Sequence, residues 1–191
     1  SRFDESYALF SEQLKAALSP AEELARIQRA LSRNQDRAGA FSLLERLAQP
    51  YLNNADVRLV LANGAHAAGL SDRAAQEARA ALALAPDSER AALATAQFLQ
   101  TSDRPAALSL LEKFVERNPA APDARLAYAR LLIADKRFDD ARRQFARLLQ
   151  DNPGNPDLVY SMALLSLQGN LRADAKNYLE RYLKLLEEPG N

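Results

Sequence analysis

Residues Asp123 to Pro153 read DARLAYARLLIADKRFDDARRQFARLLQDNP. The second half carries Ala141, Phe145 and Leu148, apolar positions at i, i+4 and i+7 that share one stripe of a helix. Pro153 ends that helix, since proline lacks the N–H needed to continue it. The first half carries Tyr128, Ala129 and Leu132 in the same helical rhythm, and Lys136-Arg137 provides the turn between the halves. The stretch is therefore a helix, a turn and a second helix. Such a pair is too short to bury its apolar face alone and needs a neighbour.

The neighbours are present in the sequence. Ala141 belongs to a column formed by Ala40, Ala74, Ala107, Ala141 and Ala175, at spacings of 34, 33, 34 and 34 residues. Four residues after each anchor stand Leu44, Ala78, Leu111, Phe145 and Leu179, and three further on Leu47, Ala81, Phe114, Leu148 and Tyr182. A fourth column on the preceding helices holds Gln28, Ala62, Ala96, Ala129 and Ala163, small residues that let two helices cross closely. Pro86, Pro119 and Pro153 recur after the second helices. The 33-residue interval marks a shorter turn, Thr101-Ser102-Asp103-Arg104-Pro105, where the others use Gly69, Lys136-Arg137 or Gly169-Asn170. Asp103 is placed to cap the next helix, with Pro105 in its first turn. Ser19-Pro20-Ala21-Glu22 and Asn155-Pro156 have the same cap-then-proline chemistry. Alternating polar–apolar runs typical of strands are absent from the sequence, so about 11 helices of roughly 12 to 15 residues are expected.

At these columns the chain resembles the tetratricopeptide repeat family. Tyr128, Ala129, Leu132, Ala141, Phe145, Leu148 and Pro153 occupy the family's packing positions, and the likeness runs from about Ala21 to Pro189. The family's frequent early tryptophan is missing, and its usual glycine column holds Gln28 or alanine. The resemblance implies an all-α, right-handed solenoid of antiparallel helix pairs. It divides the chain into five units, 21–54, 55–88, 89–121, 122–155 and 156–189, forming a single array. Residues 1–19 are then the second helix of a preceding unit or a capping helix. The apolar character of the first helix (Phe3, Tyr7, Phe10, Leu14, Leu18) and of the last (Tyr178 to Leu186) is expected of a piece cut from a longer array.

Composition narrows the function. Lys+Arg and Asp+Glu are both 25, so no net field draws nucleic acid. No apolar run reaches the ~20 residues of a membrane span. The chain has one histidine, His66, no cysteine and six glycines that build no phosphate-cradling loop. No catalytic, cofactor or metal site is expected, and His66 reads as a surface residue. Asp139-Asp140 suits a helix N-terminus, and Glu187-Glu188 reads as a solvated tail.

The resemblance also implies that first helices line a concave, partner-binding face. Projected onto it, unit one displays Arg26, Arg29 and Arg33, and unit two Asn63 and His66. Unit three adds Gln97, Gln100 and Thr101, followed by Arg130 and Ile133, then Tyr160, Leu164 and Leu167. Glu22, four residues before Arg26, is placed to offset one of the arginines. The family's carboxylate clamp for chaperone tails is not expected, because the columns around Asn63 hold Ala25, Leu59 and Val60. The expected function is a non-catalytic scaffold that binds a protein or peptide, with no cofactor and no nucleic acid. Low lysine with high arginine resembles proteobacterial repeat proteins, which favours the bacterial periplasm or cell envelope as location, with any targeting segment outside this chain. Self-association through the apolar ends, and service as a regulatory arm of a larger enzyme, stay open as alternatives.

Overall fold

A computed structural model describes residues 2–187, so Glu188 and Pro189 of the expected tail and fifth unit lie outside the described residues. Among the described residues the secondary structure is eleven α-helices and one 3-10 turn, with no strand. In chain order the helices are α1 (Arg2–Ala16), α2 (Pro20–Leu31), α3 (Arg37–Ala48), α4 (Ala55–Ala67), α5 (Ser71–Leu84) and α6 (Glu89–Ser102). They continue as α7 (Arg104–Arg117), α8 (Pro122–Ala134), α9 (Phe138–Asp151), α10 (Pro156–Gln168) and α11 (Arg172–Glu187), with the 3-10 turn Gln49–Tyr51 following α3. The chain packs as two compact units, residues 1–107 and residues 108–191.

In the first unit α1 lies against α2 and α3, α2 against α4, and α4 against both α3 and α5, which in turn meets α6. The core they share contains Leu14, Leu24, Ile27, Leu43, Leu44, Leu47, Val57 and Leu61. Each such side chain, fully removed from water, stabilises the fold by about 1.5–3 kcal/mol. In the second unit α8 packs on α9, α9 on α10 and α10 on α11. The repeated columns are where the burial is. Ala74, Ala107, Ala141 and Ala175 are almost wholly covered, as are Ala62, Ala129 and Ala163 on the partnering helices. Leu44, Ala78, Leu111 and Phe145 continue the stripe, while Leu179 and Tyr182 of α11 are half-buried. Gly64 adds a point of closer approach, because a Cβ there would lie 2.5 Å from Leu44 Cδ2.

Helix starts follow the sequence chemistry. The Glu22 N–H donates to Ser19 Oγ, the Ala106 N–H to Asp103 Oδ1, and the Asp157 and Leu158 N–H groups to Asn155 Oδ1. The second-helix stops α5, α7 and α9 each end two residues before Pro86, Pro119 and Pro153.

The turns inside the pairs have a common device that composition conceals. After α4, α8 and α10 the chain enters the left-handed region at Gly69 (φ 79°), Lys136 (φ 60°) and Asn170 (φ 56°). The following N–H then reaches back five residues: Leu70 to the Ala65 carbonyl, Arg137 to Leu132, Leu171 to Ser166. This closes the helix end by satisfying carbonyls that would otherwise lack partners. The shorter third turn lacks that residue, and a single non-helical position, Asp103, separates α6 from α7. A lysine at positive φ is strained, whereas glycine is not. Lys136→Gly should therefore raise unfolding stability by about 1 kcal/mol in urea titrations, and Gly69→Ala should lower it by a similar amount.

Candidate functional site

The first helices of the first unit enclose a groove of about 500 Å3. From α2 it takes Glu22 and Ala25, from α4 Leu59, Val60 and Asn63, and from α6 Leu93, Ala94 and Gln97. Leu59 and Val60 are buried and form an apolar floor, while Asn63 and Gln97 stand exposed above it. At one end an ion pair between Arg90 and Asp56 ties α6 to α4. The combination is an apolar trough with uncharged amide donors and acceptors on its walls.

Of the face residues read from the sequence, Asn63 and Gln97 meet in this groove. Arg26 and Arg29 are exposed on α2, and Arg33 lies in the turn beyond its last residue, Leu31, so the three do not share a helix face; none lines the groove, to which the helix turns Glu22 and Ala25 instead. Arg26 pairs with Glu23 and not with Glu22, so the expected offset comes from the neighbouring carboxylate. The i, i+3 geometry competes with i, i+4 on a helix, and the Glu23 side chain is the better shielded one. His66 is exposed and its ring tilts against Phe98 of α6 at 5.4 Å between centroids. Gln100 and Thr101 are exposed in the last turn of α6. In the second unit Arg130 is exposed and Ile133 half-buried on α8. Tyr160, Leu164 and Leu167 form an exposed stripe on α10, with the Tyr160 ring 5.1 Å from Tyr182 of α11.

Sequence reasoning missed the polar clamps between helices. Glu77 is only 2% exposed, yet it is charged; it accepts from Arg58 Nη1 at 2.8 Å and from Arg73 Nη2 at 2.9 Å. Arg73 also reaches Glu45 on α3, and Arg58 Nε donates to the Leu52 carbonyl. One carboxylate thus joins α4 and α5, and through Arg73 also α3. In the second unit Arg125 of α8 donates to Gln144 Oε1 of α9 and to the Pro119 carbonyl, repeating the arrangement with an amide in place of the carboxylate. The signal was a polar pair nineteen residues apart in both units. Tyr128 of α8, also buried, donates its hydroxyl to Glu112 Oε1 of α7 at 2.9 Å. Loss of solvent, and then the hydrogen bond to Glu112, push its phenol up to about 12. The Asp139-Asp140 pair at the start of α9 is bound by Arg142, and by Arg137 and Arg143.

These contacts set two expectations. Glu77→Ala leaves Arg58 without its carboxylate and Arg73 with Glu45 alone, and should cost about 3 kcal/mol of unfolding free energy, measured by urea denaturation. The raised phenol favours the neutral form in the folded state. Its contribution is therefore fully present below the ordinary tyrosine value of 10.0 and disappears as pH rises toward about 12. Absorbance titration of tyrosinate should show one phenol ionising after the others, and Tyr128→Phe should remove that last step.

The geometry has counterparts in known proteins. The tetratricopeptide repeat family profile matches residues 98–152 and again 134–188. No curated protein sequence matches the chain. Among solved structures, the crystal structure of MamA superposes with a TM-score of 0.66 at 20% identity, covering 80% of this chain and 90% of that one. A MamA RS-1 ArsTM double mutant gives 0.67 at 16% identity, covering 90% and 97%, and a MamA AMB-1 structure gives 0.60 at 24%, covering 85% and 96%. At such identities the likeness is one of fold. Repeat columns, helix pairs and the family profile over residues 98–188 agree on an all-α fold of tetratricopeptide repeats.

Proposed function

We propose that this protein is a non-catalytic scaffold that holds an extended segment of a partner protein in the groove of α2, α4 and α6. The observation carrying this reading is the pairing of an apolar floor (Leu59, Val60, Leu93) with the exposed amides of Asn63 and Gln97. An extended peptide exposes unpaired backbone N–H and C=O groups along both edges, and a carboxamide offers one donor group and one acceptor to such an edge. The apolar floor takes alternate side chains. Arg26, Arg29 and Arg33 stand beside the groove as a cationic margin for a partner with acidic flanks. In the second unit Arg130, with Ile133, Tyr160, Leu164 and Leu167, gives a more apolar landing for the same or another partner. A role as an assembly or adaptor factor of the bacterial cell envelope extends this reading, and rests on the arginine-rich, lysine-poor composition.

A peptide selected from a displayed random library against the whole chain provides the test. Asn63→Ala with Gln97→Ala should weaken its binding about tenfold or more, by the loss of two hydrogen-bonding groups at a desolvated contact. Unchanged affinity of the double variant would contradict the groove assignment.

A second reading is self-association. Leu183 and Leu186 on α11 are 57% and 53% exposed, more apolar surface than a solvated helix needs. Light scattering of Leu183→Glu/Leu186→Glu beside the parent chain decides it: a drop in mass supports self-association, and equal masses contradict it.

A further inference from the structure

The clamp of Arg58 has a counterpart whose chemistry has changed. Two repeats further along the chain, Arg125 stands where Arg58 does, Pro119 where Leu52 does, and Gln144 where Glu77 does. Both arginines donate to the carbonyl six residues earlier and to the side chain nineteen residues later. Arg58 meets a carboxylate there. Arg125 meets the neutral Oε1 of Gln144 at 2.9 Å, and no described residue forms an ion pair with it.

The charge of Arg125 is nonetheless removed from water, the residue being 9% exposed. Burial and then the nearby Arg147 push its guanidinium below its ordinary range, with Asp151 acting in the opposite sense. A buried cation without a counter-ion is costly, and the usual remedy is an anion.

There is room for one. A groove of about 450 Å3 opens over Arg125, walled by Pro119, Pro122 and Leu148, with Arg147 and Asp151 at its rim. The matching groove of the first unit contains Arg58 with Ala80 and Leu84 at the rim positions. Between the two grooves, then, an internal carboxylate is lost and one arginine and one aspartate are gained. The first groove is neutral once Glu77 is counted, and the second carries a net charge of one positive unit.

We propose that the groove over Arg125 binds the carboxylate side chain of an Asp or Glu in a partner's peptide segment. The site is distinct from the face of α2, α4 and α6. A monoanion matches the single excess charge. Asp151 at the rim disfavours a phosphate dianion, and the proline and leucine walls suit the methylene stem of a glutamate. Arg147, exposed at the rim, supplies the outer half of the recognition, and Arg125 the buried half.

The test follows the side-chain Nε–Hε resonances of arginine in the whole protein, by NMR, during titration with the amide of N-acetylglutamate. The neutral N-acetylglutamine amide and inorganic phosphate are run at matched ionic strength. The Arg125 resonance should shift saturably with the glutamate derivative and not with the glutamine one. Gln144→Glu, which restores the internal counter-ion used in the first unit, should weaken that binding about tenfold or more while the chain stays folded. Arg147→Ala should weaken it as well. Equal response to the neutral amide, tighter binding of phosphate than of carboxylate, or a Gln144→Glu protein that titrates like the parent would each overturn the proposal.

Discussion

Every element of this protein depends on one constraint: a pair of helices some dozen residues long cannot cover its own apolar stripe. Ala62, Ala129 and Ala163 on the first helices, and Ala74, Ala141 and Ala175 on the second, answer that constraint by being small where helices cross. With the Cβ as the largest group at the crossing, the leucines and phenylalanines on either side reach across and fill the space. Leu44, Leu111 and Phe145 are buried for that reason. The first-helix surface turned away from the partner helices is then left to solvent. In the first unit that surface is where the groove lies.

The constraint also explains which features could be read from the chain before any coordinates. The apolar columns recur at a fixed period, so five weak signals reinforce one another, and helix ends carry proline and capping residues of known geometry. The left-handed residue closing three first helices was only partly legible. Gly69 announces itself, but Lys136 takes the same conformation, and nothing in a lysine signals this. The groove was half legible. Asn63 and Gln97 were on the projected face, whereas Arg26 and Arg29 fell beside it, since each residue rotates around a helix by about 100° and Ala25 already occupies the inward position, and Arg33 lies past the end of α2. The Arg58–Glu77 and Arg125–Gln144 clamps were missed, because they join consecutive helices at a nineteen-residue spacing that no single-helix period contains.

Those clamps add specificity that the columns lack. An apolar stripe tolerates sliding by one turn, but a buried carboxylate such as Glu77 tolerates no partner other than Arg58 and Arg73 in their present places. These ion pairs join α3, α4 and α5 at one point along their length, beside the leucine and alanine packing. Replacing the carboxylate by Gln144 in the second unit keeps the hydrogen bond and releases the charge of Arg125 for another use.

The central claim is that a partner segment lies on α2, α4 and α6, between the amides of Asn63 and Gln97. NMR mapping of a selected peptide on the whole, isotope-labelled chain tests it most directly. The account predicts that the side-chain amide resonances of Asn63 and Gln97, and the methyls of Leu59, Val60 and Leu93, move together and with one binding constant. Perturbations gathered on the outer surfaces of α3 and α5, with those five residues unmoved, would contradict it.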